Sequence, residues 1–232
     1  MQHVLVTGAN RGLGLEFVRQ LLARGARVIA ACRHPGKALA LTEAAAAHPN
    51  HLHVLPLDLD KERSIAELAR EAAALTDALD VLVNNAGVLV SGERFGALGS
   101  KPLAETFSSN VVGPVLLTQA LAPLLEKSRG AKVMNLSSRL GSLAQTNAFG
   151  TPSYAISKAA LNMATRQLAA ALAPRGVTVF CVSPGWVSTD MGGAAAPLAP
   201  AQSVRGLLSV LDGVTAKDAG RFIDHDGGAI PW

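Results

Sequence analysis

The sequence predicts an α/β domain built on a doubly wound parallel sheet of about seven strands, flanked by helices on both faces. Three observations predict it. Short apolar runs alternate with helical patterns along the whole 232-residue chain. Those runs are continuous rather than alternating, the mark of strands covered on both faces and therefore parallel. Strand–helix alternation then implies right-handed crossovers in an open sheet. No linker, internal repeat or low-complexity block interrupts the pattern, so residues 1–232 read as one domain.

Composition agrees and narrows the function. Apolar residues make up 49% of the chain and aromatic residues 4%, which suits close helix-on-sheet packing and disfavours an aromatic-rich nucleic-acid binder. The formal net charge of +4 comes from lysines and arginines scattered singly. Without a basic block, no nucleic-acid partner is expected; a small anionic ligand accounts for part of the excess. Cys32 and Cys181 each end an apolar run and read as buried strand residues in a reducing compartment. The run MQHVLVTG enters a strand at once, with no leader-like pattern and no uninterrupted apolar span of membrane length. A cytoplasmic protein without a membrane partner is expected. No metal is expected either.

Strands are expected near 3–7, 27–32, 52–57, 80–83, 132–136, 177–182 and 221–224, and helices near 12–24, 37–47, 61–78, 102–127, 152–173 and 203–212. Between the first strand and first helix lies Thr7-Gly8-Ala9-Asn10-Arg11-Gly12-Leu13-Gly14. Glycines at such a corner permit a tight turn and let backbone N–H groups approach a pyrophosphate at a helix N-terminus. The second strand ends Ala31-Cys32-Arg33-His34, and no acid occurs between Gly25 and Glu43. An acid there would bind the 2′-hydroxyl of NAD; Arg33, with Arg11 as a partner, suits a 2′-phosphate instead. NADP(H) is therefore favoured over NAD(H). Asp58-Leu59 closes the third strand where an adenine would lie, and Asp58 is placed either to bind its amino group or to cap the next helix.

The fourth strand runs into Asn84-Asn85-Ala86-Gly87, at a carboxyl end where open α/β sheets bind ligands. The following helix holds Asn110-Val111-Val112-Gly113-Pro114. Pro114 has no N–H for the carbonyl of Asn110, so a kink there exposes an acceptor to a bound water. The fifth strand ends in Ser137-Ser138, whose hydroxyl can hydrogen-bond a substrate carbonyl. Then comes Tyr154-Ala155-Ile156-Ser157-Lys158, a tyrosine and a lysine one helical turn apart. Thr151 is read as the N-cap and Pro152 as the first helical residue. An ammonium near the phenol favours phenolate, lowering its pKa from about 10 and making a stronger acid toward a carbonyl oxygen. The sixth strand ends Ser183-Pro184-Gly185-Trp186-Val187-Ser188-Thr189-Asp190, where Pro184 and Gly185 turn the chain and free Thr189 to touch a nicotinamide amide. The small residues that follow promise only a slight lid.

TGANRGLG, NNAG, Asn110, NLSS, YAISK and SPGWVSTD occur in the order and approximate spacing of the short-chain dehydrogenase/reductase family, and the chain resembles it over essentially its whole length. GANRGLG, the ACR end of the second strand and GRFIDHDGGAIPW resemble the C-factor and sniffer-type carbonyl reductases within it. The resemblance implies a Rossmann-type fold and an NADPH-dependent oxidoreductase that reduces an aldehyde or ketone to an alcohol. It implies Tyr154 as proton donor and Lys158 on the nicotinamide ribose. It implies Ser138 on the carbonyl, Ser137 being the alternative, and Asn110 holding a water through its main-chain carbonyl. It further implies a pyrophosphate cradle of Gly8, Asn10, Arg11, Gly12, Leu13 and Gly14, with Arg33 on the 2′-phosphate. Asp58, Leu59, Asn85, Ala86 and Gly87 would line the adenosine side, and Pro184, Gly185, Val187 and Thr189 the nicotinamide side. Ser138 precedes Tyr154 by sixteen residues, longer than the family's usual spacing, so residues 141–152 must bulge. A small-molecule carbonyl or alcohol substrate and a homodimer or homotetramer, joined through the helices near 102–127 and 152–173, are implied too. A second reading is a cofactor-binding signalling or regulatory protein with little turnover; a degenerate site would favour it, and here every matching position is intact.

Overall fold

A computed structural model describes residues 1–232. Its seven strands are β1 (His3–Thr7), β2 (Arg27–Cys32), β3 (Leu52–Pro56), β4 (Val81–Asn84), β5 (Lys132–Leu136), β6 (Thr178–Ser183) and β7 (Phe222–Asp224). The helices are α1 (Gly12–Ala23), α2 (Leu39–Ala47), α3 (Glu62–Leu75), α4 (Ser100–Phe107), α5 (Gly113–Leu125), α6 (Pro152–Leu172) and α7 (Pro200–Gly213). All strands pair in parallel, in the order β3-β2-β1-β4-β5-β6-β7. The order reverses between β1 and β4, and in such sheets the crevice beyond the carboxyl ends at that point is the ligand site.

Alternate residues of each strand feed two cores. Val4, Val6, Val28, Val83 and Phe180 join Phe17 of α1 and Leu207 of α7 on one face. Leu5, Ile29, Leu82, Val133 and Val179 join Leu68 of α3, Leu121 of α5 and Leu172 of α6 on the other. Burying one such leucine contributes about 2 kcal/mol, so burial on both faces explains why the strands read as unbroken apolar runs.

Three local expectations change. The helix expected over 102–127 begins at Ser100 and carries a π-turn, Ser108–Val112, before α5. Pro114 lacks an N–H, and the Gly113 amide reaches back to the Ser108 carbonyl. Gly113 lies so close to Leu59 that a Cβ there would meet the Leu59 Cβ at 2.6 Å. Second, Thr151 does not cap α6 with its side chain. Its backbone is left-handed, at φ 40° and ψ 56°, whereas a capping threonine needs extended geometry to reach the first-turn amides. Third, contrary to the expectation, the combined run Ser100–Leu125 is long enough to span a membrane and contains an 18-residue window with a mean hydropathy of 1.2. Here 56% of it is buried inside the fold; its apolar residues serve the core.

Candidate active site

The carboxyl ends of β1, β2, β4, β5 and β6 open into one cleft of about 330 Å³. Its floor on the β1 side is the glycine turn. Gly8 and Gly12 have φ of +62° and +53°, a conformation that costs a side-chain-bearing residue strain. At Gly14 a Cβ would stand 2.2 Å from the Gly8 carbonyl oxygen, so the helix start is pressed against the turn and only glycine fits. Asn85 fastens this turn from the next strand: its amide donates to the carbonyls of Thr7 (2.7 Å) and Gly8 (3.3 Å). In return the Thr7 hydroxyl accepts the backbone amides of Asn85 and Ala86, both at 3.0 Å.

The neighbouring wall is basic. Arg33 lines the cleft with His34 and Lys37; it forms no ion pair, yet its charge reaches Asp58. The Asp58 carboxyl lies below its ordinary value, chiefly through its hydrogen bond with Lys61, at 2.8 Å. Asp58 thus faces the cleft with Leu59 but does not cap α3, whose first flanking residue is Lys61.

Tyr154 and Lys158 project from the first two turns of α6 and are 8% and 3% exposed. The Lys158 Nζ donates to the Leu136 carbonyl at 2.6 Å and lies 5.4 Å from the Tyr154 ring centroid. Burial pushes the lysine down to about 8 and the tyrosine up to about 12, the Ser138 hydroxyl opposing the latter. The expected lowering of the phenol pKa by the ammonium is therefore reversed. Both groups are stripped of water, and desolvation penalises whichever form is charged.

The two serines separate. Ser137 lines the cleft, but its hydroxyl donates to Asn162 of α6 at 2.6 Å. Ser138 keeps a less committed hydroxyl, accepting only the Leu140 amide at 3.2 Å, and it is the serine that influences Tyr154. Asn110 is fully buried in the π-turn. Its side chain binds Val88 in both directions, at 2.8 and 2.9 Å, and donates to the Ser157 hydroxyl at 3.0 Å. It thereby ties the β4 loop to α6 beside Lys158.

Gly8, Asn10, Arg11, Gly12, Leu13, Gly14, Arg33, Asp58, Leu59, Asn85, Ala86, Gly87, Tyr154, Lys158, Pro184 and Thr189 line the cleft together. Gly185 and Val187 do not, and neither do Ser138 and Asn110, whereas Ser137 does. Gly185 turns against Leu198 and His225, and Val187 bridges to Leu198 and is buried. Sequence reasoning missed Lys37, Asp60, Ser109, Asp190 and Met191, which also line it. Lys37, four residues beyond Arg33 in a Pro-Gly turn, was the readable one.

The long stretch between Ser138 and Tyr154 starts with a short 3-10 turn at Arg139–Gly141. The end of the chain then fastens it. The Arg139 Nε donates to Asp224 at 3.0 Å, the Ser142 hydroxyl to the Pro231 carbonyl at 2.6 Å, and the Ala144 amide to the Trp232 carbonyl at 2.8 Å. Burial would raise the Asp224 carboxyl, but hydrogen bonds from Arg139 and His225 outweigh it and hold the group low.

With fold and cleft described, comparison with known proteins gives the class. The model of the short chain dehydrogenase family matches residues 2–197, and the chain belongs to that family: it is an oxidoreductase of the short-chain dehydrogenase/reductase type. It is similar to the "C-signal" protein of Myxococcus xanthus, 43% identical over 157 residues that cover 68% of this chain and 95% of that protein. It is also similar to the carbonyl reductase Sniffer of D. melanogaster, at TM-score 0.96 and 34% identity with both chains fully covered. An NADPH-bound carbonyl reductase from chicken fatty liver matches at TM-score 0.95 and 35% identity, covering 100% of this chain and 99% of that one.

Proposed function

We propose that this protein is an NADPH-dependent carbonyl reductase that converts an aldehyde or ketone to an alcohol, with Tyr154 as the proton donor. The observation that carries the reading is the buried Tyr154–Lys158 pair beside Ser138, in the same cleft as the glycine turn. A phenol with a pKa of about 12 is protonated at neutral pH, the state a donor to a developing alkoxide needs. Ser138 holds the carbonyl oxygen beside that phenol, and the Lys158 ammonium adds positive potential where negative charge grows.

The residues present fit a nicotinamide dinucleotide. The glycine turn along the cleft, with Gly8 and Gly12 at positive φ and α1 packed directly behind it through Gly14, supports a pyrophosphate at the helix N-terminus, and Arg33 and Lys37 offer cations for a 2′-phosphate. When bound, that group supplies a hydride to the carbonyl carbon. Lys158 would hold the ribose hydroxyls, Asn110 a water through its main-chain carbonyl, and Thr189 the nicotinamide amide. The likeness to a carbonyl reductase crystallised with NADPH supports the same cofactor. Phe107, Val112, Ile156 and Met163 are exposed on α4, the π-turn and α6, which supports a homodimer or homotetramer through those helices.

Absorbance of NADPH during incubation with a panel of aldehydes and ketones tests the function. Carbonyl-dependent oxidation of NADPH is the expected result. Tight NADPH binding without turnover on any of them would overturn it in favour of a signalling or regulatory role.

A further inference from the structure

The helix that carries Tyr154 starts without a cap of its own. Thr151 is in the left-handed region and makes no side-chain cap bond, and Pro152 occupies the first helical position. The acceptor comes from sixty residues away in sequence. The Glu93 carboxylate accepts the Ser153 amide at 3.1 Å and also the Ser153 hydroxyl. Ser153 is 1% exposed and directly precedes Tyr154. Glu93 belongs to the loop between β4 and α4, which begins at the cleft-lining Asn85, Ala86, Gly87 and Val88. A second fastening lies beside it. Phe95 meets Phe149 edge-to-face at 5.7 Å between centroids, joining the same loop to the stretch between Ser138 and Tyr154.

We propose that Glu93 is a positioning residue: it caps α6 from the β4 loop and so fixes the direction in which Tyr154 presents its phenol to a carbonyl. This rests on the proposed reductase function. A carboxylate at a helix N-terminus is stabilised by the unpaired amides and by the helix dipole. Here the bonded amide is that of Ser153, which directly precedes Tyr154 in the first turn of α6, so release of Glu93 frays the segment carrying the acid. Asn110, bonded to Val88 and Ser157, anchors the other end of the same loop to the same helix. The cap therefore acts on a loop already held at its base, and its loss is felt at the first turn of α6.

Two readouts test it, one independent of turnover. Hydrogen exchange at the Ser153, Tyr154 and Ala155 amides is expected to quicken about tenfold in Glu93→Ala. Protection unchanged there would overturn the cap. In steady-state NADPH oxidation, Glu93→Ala is expected to lower kcat about tenfold or more with the NADPH Kd within about twofold. Glu93→Gln, whose amide oxygen still accepts the Ser153 N–H, should recover most of that loss. A kcat within about twofold of the parent, a Kd that weakens in step with kcat, or a glutamine variant no better than alanine would each overturn the positioning role. A parent protein that turns over no carbonyl defeats the reductase reading instead, and the exchange measurement then decides the cap alone.

Discussion

The Arg11 guanidinium and the Asp190 carboxylate meet at 2.7 Å, joining the glycine turn to the loop after β6. Both residues line the cleft, so the pair spans its opening. Their side chains are 63% and 77% exposed, and an exposed pair of this kind is worth at most about 1 kcal/mol. It is strong enough to bias an equilibrium and too weak to bar a ligand.

Asp190 thus competes with a bound phosphate for Arg11. Asp190→Asn is expected to tighten NADPH binding by up to about fivefold and to steepen its salt dependence, because salt no longer weakens a competitor along with the ligand. Fluorescence titrations at two ionic strengths check this. Weaker binding in the variant would mean that Asp190 helps to hold the cofactor.

Arg33 makes no ion pair and faces the same cleft as Lys37. A hydrogen bond to a charged group contributes about 1.5–3 kcal/mol, or about ten- to a hundredfold. Arg33→Asp should reduce kcat/KM for NADPH by that factor while improving the use of NADH. Parallel rates with the two cofactors provide the measurement, and an unchanged preference would remove Arg33 from the 2′-phosphate.

The pH dependence follows from Lys158, lowered by burial from 10.5 to about 8. Its ammonium is present below pH 8 and lost above it. The charged form is disfavoured in the folded state, so this group makes stability rise, not fall, as pH climbs through about 8 toward 10.5. Cofactor affinity should move the opposite way, weakening up to about tenfold between pH 7 and pH 9 because the donor to the ribose disappears. Lys158→Arg, which stays charged, should show no such step. Titrations across that range decide it; a flat profile in the parent chain would show that the ammonium does not bind the ribose.

Much of the fold was legible because its signal is local. Each strand lies within about one residue of its apolar run, since a strand buried on both faces writes itself as consecutive apolar residues. The Tyr154-Lys158 spacing and the glycine turn are equally local. What escaped depends on tertiary neighbours. Pro114 announced an irregular helix, but the π-turn also reflects the approach of Gly113 to Leu59. The engagement of the Ser137 hydroxyl by Asn162, which distinguishes it from Ser138, comes from a residue on α6 that no local spacing reveals. Thr151 matched a capping pattern, while the acceptor at that helix is Glu93. The direction of the Tyr154 shift was missed because burial, invisible in a tetrapeptide spacing, outweighs the neighbouring charge.

The most direct measurement is turnover by Tyr154→Phe, with NADPH and a carbonyl that the parent protein reduces. Removing only the phenol oxygen should lower kcat by about 10²–10⁴ while leaving the NADPH Kd within about twofold. Activity within about tenfold of the parent would contradict the account, because the proton would then come from elsewhere.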